Sequence, residues 1–141
     1  MQHSRVQGHL VMNLVVSHEL SVRVPVDAVY EAGDPYAVRL AFHLPGDAPV
    51  TWFFARELLL DGITGPAGEG DVHIHPVDEA STEVRILLRS PAGDAVLRAP
   101  SAPLLAFLAG TARLVPVGQE LIGRELDAKL AAILRGRENA G

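Results

Sequence analysis

The chain contains no cysteine, which excludes disulfide bonds, thiolate nucleophiles and cysteine-ligated metals. Lysine is almost absent too: Lys129 is the single one, against eleven arginines scattered between Arg5 and Arg137. The formal net charge is −5. An acidic chain without a basic stripe is a poor electrostatic match for a nucleic-acid backbone. The composition therefore argues against nucleic-acid binding, and the lack of cysteine fits a cytoplasmic location.

Long apolar runs are also missing. Residues 1–8 are polar and lack the apolar run of a signal peptide. Nowhere do about 20 apolar residues follow one another, as a membrane-spanning helix requires. With 141 residues, 48% of them hydrophobic, the chain is expected to form one domain over residues 1–141 that buries its own core. We expect residues 1–8 and 137–141 to fray.

The first half of the sequence predicts strands. Residues 10–16 are almost continuously apolar, which indicates a strand buried on both faces. Residues 20–26 alternate between apolar and polar, as in a half-buried strand. Turn signals around Pro35 and Gly46 then separate two further strands, over residues 36–42 and 50–54. Such short turns favour antiparallel pairing.

The rest of the sequence predicts three helices. Residues 55–61 are expected to form a short helix closed by Gly62. A loop over residues 65–70 and further strands within residues 72–98 follow, and Ser101 is then expected to cap another helix. After Gly118, a last amphipathic helix is predicted from apolar side chains at helical spacing: Ile122, Leu126, Leu130, Ile133 and Leu134. The predicted fold class is α+β, with antiparallel β-sheets, a short mid-chain helix and two C-terminal helices.

Residues that carry chemistry form no catalytic pattern. His73 and His75 would lie on the same side of a strand, but the sequence offers no third ligand, and the alternative is that both simply face solvent. The glycines of residues 62–70 follow a helix instead of a strand, so they do not predict a phosphate cradle. No serine lies in a Gly-x-Ser-x-Gly elbow. We therefore predict no catalytic residue, no cofactor, no metal and no enzymatic activity.

Apolar strand surface predicts self-association instead. The aromatic run of residues 52–54 could stack on bases, but without interleaved basic residues it more often belongs to a core or an oligomer contact. One small sheet does not hide all of this apolar surface on a single face. The residues predicted to contact another copy are Leu10, Met12, Leu14, Trp52 and Phe54.

Four short motifs resemble those of the SsgA-like proteins, which are sporulation and cell-division factors of filamentous actinobacteria. Residues 34–38 are similar to the family's D-P-Y-A-V, and residues 52–59 to its W-x-F-A-R-D/E-L-L. Residues 70–76 are similar to G-D-V-x-V-x-P, although His75 stands where the family often has an aromatic residue. Residues 115–120 are similar to V-P-x-G-x-E before the final helix. The resemblance covers nearly the whole chain and is strongest to the SsgB-like branch.

The resemblance implies a non-catalytic scaffold that helps to position or recruit the tubulin-like division protein FtsZ at septa. It further implies a homotrimer, an SsgA-type partner, and a fold similar to the whirly-type single-stranded nucleic-acid binders. The alternative function is therefore a nucleic-acid binding module, but fold likeness alone does not transfer function. The glycine of V-P-x-G-x-E predicts a partner-binding segment at Gly118, with Val117, Gln119 and Glu120 beside it. The alternative is that Gly118 serves only as a structural turn.

Overall fold

The computed structural model describes residues 4–120 and 129–134. Its main element is a single antiparallel sheet of eight strands. The sheet order is β4-β3-β2-β1-β8-β7-β6-β5. Helix α1 lies between β4 and β5, and helix α2 follows the last strand. The antiparallel α+β prediction is confirmed, but the strands form one sheet and not several. The elements are β1 (Arg5–Val15), β2 (Ser21–Glu31), β3 (Ala37–Phe42), β4 (Val50–Ala55), α1 (Arg56–Thr64), β5 (Ala67–Glu69), β6 (Val72–Pro76), β7 (Glu83–Ser90), β8 (Gly93–Pro100) and α2 (Ser101–Leu114).

The sheet has two halves that join in its middle. Strands β1 to β4 are paired in chain order, and so are β5 to β8. The junction is the pairing of β1 with β8, where Asn13 lies opposite Arg98 and Leu14 opposite Leu97. Sequential pairing of this kind follows from the short turns between strands, as the sequence predicts.

The inner face of the sheet forms the core with the two helices. Alternate side chains of each strand point inward, as a period of two requires. Helix α1 packs against β6, and helix α2 packs against β1. The buried side chains include Met12, Val24, Val26, Val38, Leu40, Ile74, Val84, Ile86 and Leu97 from the strands, with Leu58, Leu59, Ile63, Leu104, Phe107 and Leu108 from the helices.

Strand β1 differs from its prediction in two ways. It is not buried on both faces: Leu10 and Met12 are buried, but Val11 between them is 39% exposed. The reason is that α2 covers only the inner face. The strand also begins earlier than expected, because Arg5 already pairs with Glu31 of β2. Fraying therefore does not apply to residues 5–8, while residues 137–141 lie outside the described part of the chain.

The prediction that Gly62 ends α1 is wrong, because the helix continues to Thr64. Gly62 is buried against β6, where an added Cβ would lie 2.4 Å from Cβ of Ile74. Glycine therefore permits the close approach of helix and strand here, instead of ending the helix. The expected loop after α1 contains the short edge strand β5, which a tight turn at Gly70 (φ +59°) connects to β6.

The second predicted helix is confirmed as α2, but Ser101 is its first residue and not its cap. The capping position is Pro100, and no side-chain hydrogen bond caps the helix. The Ser101 amide donates to the carbonyl of Thr82 at 2.9 Å, which ties the helix start to the turn before β7. Of the last predicted helix, residues 129–134 are helical, whereas Ile122 and Leu126 lie outside the described residues.

Candidate partner-binding segment

Arg56 is the buried centre of the candidate site. It is the first residue of α1 and follows β4 without a loop, and its side chain is only 1% exposed. Its guanidinium crosses to the C-terminal end of α2. There Nη1 donates to the carbonyl of Val115 at 2.6 Å and to that of Thr111 at 3.2 Å. The Thr111 carbonyl also accepts the backbone N–H of Val115 at 2.8 Å. Arg56 therefore adds a second hydrogen bond to this carbonyl and supplies a donor to the carbonyl of Val115, just past the end of the helix.

Glu120 completes this contact from the other side. Its Oε2 lies 2.5 Å from Nη2 of Arg56, and its Oε1 accepts the backbone N–H of Gly118 at 2.9 Å. Burial raises the pKa of the Glu120 carboxyl, but the hydrogen bonds from Arg56 and from backbone amides outweigh it, and the pKa falls below its ordinary value of 4.5. One carboxylate therefore connects the buried guanidinium to the backbone of residues 115–120.

The ring of Tyr30 packs against the guanidinium of Arg56. The Arg56 Cζ atom lies 4.8 Å from the centre of the Tyr30 ring, within the range of a cation–π contact. The Tyr30 hydroxyl donates to the carbonyl of Pro35 at 2.8 Å. Burial raises the pKa of this phenol to about 12, so the ring stays neutral beneath the cation. The position of Arg56 is thus fixed by an aromatic face, two carbonyls and a carboxylate.

The segment of residues 115–120 consequently forms an exposed turn on a rigid base. Val115 and Glu120 at its two ends are buried, whereas Val117 is 47% exposed and Gln119 faces solvent. Gly118 has φ +90°, in the region that favours glycine, and open space surrounds the position of a Cβ. The turn exposes the small apolar side chain of Val117 and the polar side chain of Gln119, while the backbone N–H groups of Gly118 and Gln119 donate within the turn to Glu120 and Pro116.

The structure divides the predicted partner-binding residues between two roles. Val117, Gly118 and Gln119 lie on the outside of the turn, while Glu120 holds it from within through Arg56. Arg56 itself was not predicted as a site residue. The signal for it was present, because a lone arginine stands between an apolar strand and an apolar helix in residues 52–60.

The residues predicted to contact another copy are mostly covered within one chain. Leu10, Met12 and Phe54 are buried in the core. Leu14 and Trp52 are half-buried, and they line an apolar cleft that receives side chains from both halves of the sheet. Any contact between copies through this set therefore involves Leu14 and Trp52 at the cleft.

His73 and His75 lie together on the outer face of β6, as their spacing predicts, while Val72 and Ile74 point inward. Over residues 4–120 and 129–134, no three histidine or acidic side chains come together in a way that could hold a metal ion. A helix long and apolar enough to cross a membrane is likewise absent from these residues.

Comparison with known proteins confirms the resemblance of the motifs. A family model described as Streptomyces sporulation and cell division protein, SsgA, matches residues 24–120. The sporulation-specific cell division protein SsgB of Thermobifida fusca is 45% identical over 121 residues, covering 85% of this chain and 88% of that protein. SsgB of Streptomyces coelicolor is 42% identical over 130 residues, covering 92% and 95%.

Solved structures agree with the sequence matches. The crystal structure of an SsgA-like sporulation-specific cell division protein from Thermobifida fusca has a TM-score of 0.83 at 41% identity, covering 94% of this chain and 98% of that chain. For SsgB of Streptomyces coelicolor, in which mutations correlate with longitudinal cell division during sporulation, the TM-score is 0.80 at 40% identity, covering 87% and 99%. The chain therefore belongs to the SsgA-like family of sporulation and cell division proteins.

Proposed function

We propose that this protein is a non-catalytic scaffold of sporulation-specific cell division, which acts in the cytoplasm at division septa and helps to recruit or position FtsZ. The observation that carries this proposal is the exposed turn of residues 115–120, held by the buried Arg56–Glu120 pair. Binding is stronger when a surface is already ordered before the partner arrives. Relatives named as sporulation-specific cell division proteins support the cellular context.

The surroundings of the turn favour an apolar contact with a protein partner. Val117 borders a shallow groove between α1 and α2, which Leu60, Leu105, Leu108 and Ala109 also line. Val117 and Leu105 are 47% and 45% exposed. A groove of this kind beside a rigid turn can receive apolar side chains of a partner. We infer that changes here would misplace the septum, in keeping with the effect of mutations in SsgB of Streptomyces coelicolor.

The variant Gly118→Val is expected to lose most of its FtsZ binding while it keeps its fold. Valine is strained at φ +90°, so the turn must rearrange, but a Cβ at Gly118 would have nothing within 4 Å and would therefore not clash with the core. The measurement is retention of purified FtsZ by the immobilised protein, with the thermal midpoint determined on the same sample. Gly46→Val is the matched control, because Gly46 has φ +78° and open space in a turn elsewhere.

The two variants should lose similar stability, roughly 1–3 kcal/mol, because the backbone strain is alike. Only Gly118→Val should lose its binding of FtsZ. Equal retention by both variants would show that the turn is not the binding surface. Unfolding of Gly118→Val alone would show that Gly118 has a structural role that the strain does not explain.

Self-association as a homotrimer is the second part of the proposal, and an SsgA-type protein is a further expected partner. Phe53 is 62% exposed on the outer face of β4, and the helical residues 129–134 expose Leu130, Ile133 and Leu134. Apolar surface of this extent on a small protein indicates a contact with another chain. Light scattering at micromolar concentration should give about three times the mass of one chain, and a clean monomer would contradict this.

The alternative function is binding of single-stranded nucleic acid. It rests on the expected similarity of the fold to that of the whirly-type binders. Such binders combine a basic groove with aromatic side chains on which bases stack. The net charge of −5 works against this function. Of the aromatic run of residues 52–54, Phe54 is buried and Trp52 half-buried, so Phe53 is the one exposed ring of the run. A likeness of fold would not in itself transfer the activity. We therefore keep protein binding as the proposed function.

A further inference from the structure

A row of cationic side chains crosses the outer face of the sheet, although the arginines are scattered in the sequence. His75 of β6 lies opposite Arg85 of β7, and Arg85 lies opposite Arg98 of β8. Across the junction of the sheet, Arg98 lies opposite Asn13 of β1, which lies opposite Arg23 of β2. Residues directly opposite each other on paired strands point to the same face. The five side chains therefore form one line, which we call the cationic row.

The charges within the cationic row are only partly balanced. Arg85 and Arg98 face each other directly, and like charges in such positions repel. Arg98 has one counter-charge, since its Nη2 lies 2.5 Å from Oε1 of Glu83. Arg85 and Arg23 are exposed, and neither has an ion-pair partner among the residues that the structure describes. Three arginines against one glutamate leave the row positive on a chain that is acidic overall.

A cleft runs beside the middle of the row. The loop that joins β1 to β2 borders this cleft, which is lined by Val15, Ser17, His18, Ser21, Arg85 and Arg98. Its volume is about 460 Å³. Two serine hydroxyls and a histidine thus lie around the two opposed arginines. Guanidinium groups bind carboxylates through paired hydrogen bonds, and hydroxyls add further donors.

We propose that the cationic row binds an extended acidic peptide segment of a protein partner. The row crosses four strand spacings, roughly 19 Å, which corresponds to roughly six residues of extended chain. Carboxylate side chains along such a segment would meet His75, Arg85, Arg98 and Arg23 in turn. This surface is separate from the 115–120 turn, so the inference does not depend on FtsZ being the partner of that turn.

A peptide fits the row better than a nucleic acid does. Each pairing partner in the row is histidine, arginine or asparagine, so no aromatic ring in it can stack on a base except that of His75. The net charge of −5 repels a long polyanion at a distance, whereas a short acidic segment is attracted once it is near the row. The chemistry of the row is therefore that of a local carboxylate site.

The test is a titration of the whole protein against a labelled hexaglutamate peptide, followed by fluorescence anisotropy. Saturable binding at low salt is expected, and it should weaken as salt rises. Arg85→Gln should reduce the affinity roughly tenfold, the typical effect of losing one charge-assisted hydrogen-bonding group. Arg89→Gln is the matched control, because Arg89 lies on the same face of β7 but opposite Asp94. It should change the affinity by less than roughly twofold.

Three results would overturn the proposal. The first is no binding of hexaglutamate, and the second is an equal loss for Arg85→Gln and Arg89→Gln, because binding would then reflect general charge. The third is tighter binding of a single-stranded oligothymidine that Arg85→Gln abolishes, since the row would then be a nucleic-acid site. The assay contains no division protein, so its outcome is independent of FtsZ recruitment by the turn.

Discussion

Arg56→Ala is expected to lower the free energy of unfolding by roughly 3–5 kcal/mol, the loss typical of breaking a buried ion pair. The change leaves the Glu120 carboxylate buried without its counter-charge. It also removes the donors to the carbonyls of Thr111 and Val115 at the end of α2. A domain with a total stability of roughly 5–15 kcal/mol would lose a large part of it. Chemical denaturation at neutral pH measures the effect.

The matched control is Arg5→Ala, which removes an ion pair of the same chemistry from the surface. Arg5 and Glu31 are 3.0 Å apart, and their side chains are 49% and 47% exposed. Exposed pairs contribute at most about 1 kcal/mol. Similar losses for Arg5→Ala and Arg56→Ala would contradict the role of Arg56 as the buried centre of the site. Arg56→Lys should fall between wild type and Arg56→Ala, because lysine keeps the charge but cannot make the same set of hydrogen bonds.

Low pH should weaken the contact between Arg56 and Glu120. The folded-state pKa of Glu120 is lower than its ordinary value of 4.5, so the folded protein binds its proton less readily than the unfolded chain does. The stabilisation by this carboxylate is therefore complete above pH 4.5 and is lost as the pH falls through the lower, folded-state value. In Arg56→Ala the hydrogen bond from Arg56 no longer opposes the effect of burial, so the pKa of Glu120 should rise. Its contribution to acid sensitivity should then become smaller, which a denaturation series across acidic pH would detect.

Gly62→Ala should destabilise the protein by roughly 1–3 kcal/mol, although alanine usually stabilises a helix relative to glycine. The added Cβ would lie 2.4 Å from both Cβ and Cγ2 of Ile74, which are attached close to the backbone of β6 and cannot swing away. Helix α1 must then move off the strand. The thermal midpoint should fall, and because Arg56 begins the same helix, the 115–120 turn should loosen as well.

Gly65→Ala is the control for this substitution. Gly65 directly follows α1, and a Cβ added to it would have nothing within 4 Å. Its φ of −167° is extended backbone that any residue adopts. The effect of Gly65→Ala should be within about 0.5 kcal/mol. An unchanged or raised midpoint for Gly62→Ala would show that α1 and β6 do not pack closely at Gly62 and Ile74.

Local patterns in the sequence predict the strands well, because each strand carries its own alternation and its own turn. Strand β3 illustrates this, because Val38, Leu40 and Phe42 share one face as predicted and are buried. Tyr36, predicted on the same face, lies just before the strand and is 44% exposed. Gly62 shows where such reasoning fails. A glycine near a helix end usually marks its C-terminus, but here it accommodates Ile74, which lies far along the chain and on another element.

The candidate site depends even more on long-range contacts. Gly118 could be singled out because glycine in a turn has a local signature, and the structure gives it a positive φ. The partnership of Arg56 with Glu120 has no local signature, since 64 positions separate the two residues. The cationic row is a similar case. Arg23, Arg85 and Arg98 become neighbours only through the pairing of β1 with both β2 and β8.

The central claim is that the turn on the Arg56–Glu120 pair is the surface that binds FtsZ. Hydrogen exchange of the backbone amides, measured with and without FtsZ, tests it most directly. Slower exchange at residues 117–119 on adding FtsZ is predicted for the wild-type protein and for Gly46→Val, but not for Gly118→Val. The turn around Gly46 should exchange at the same rate throughout. Protection that appears only elsewhere on the chain, or persists at the turn in Gly118→Val, would contradict the claim.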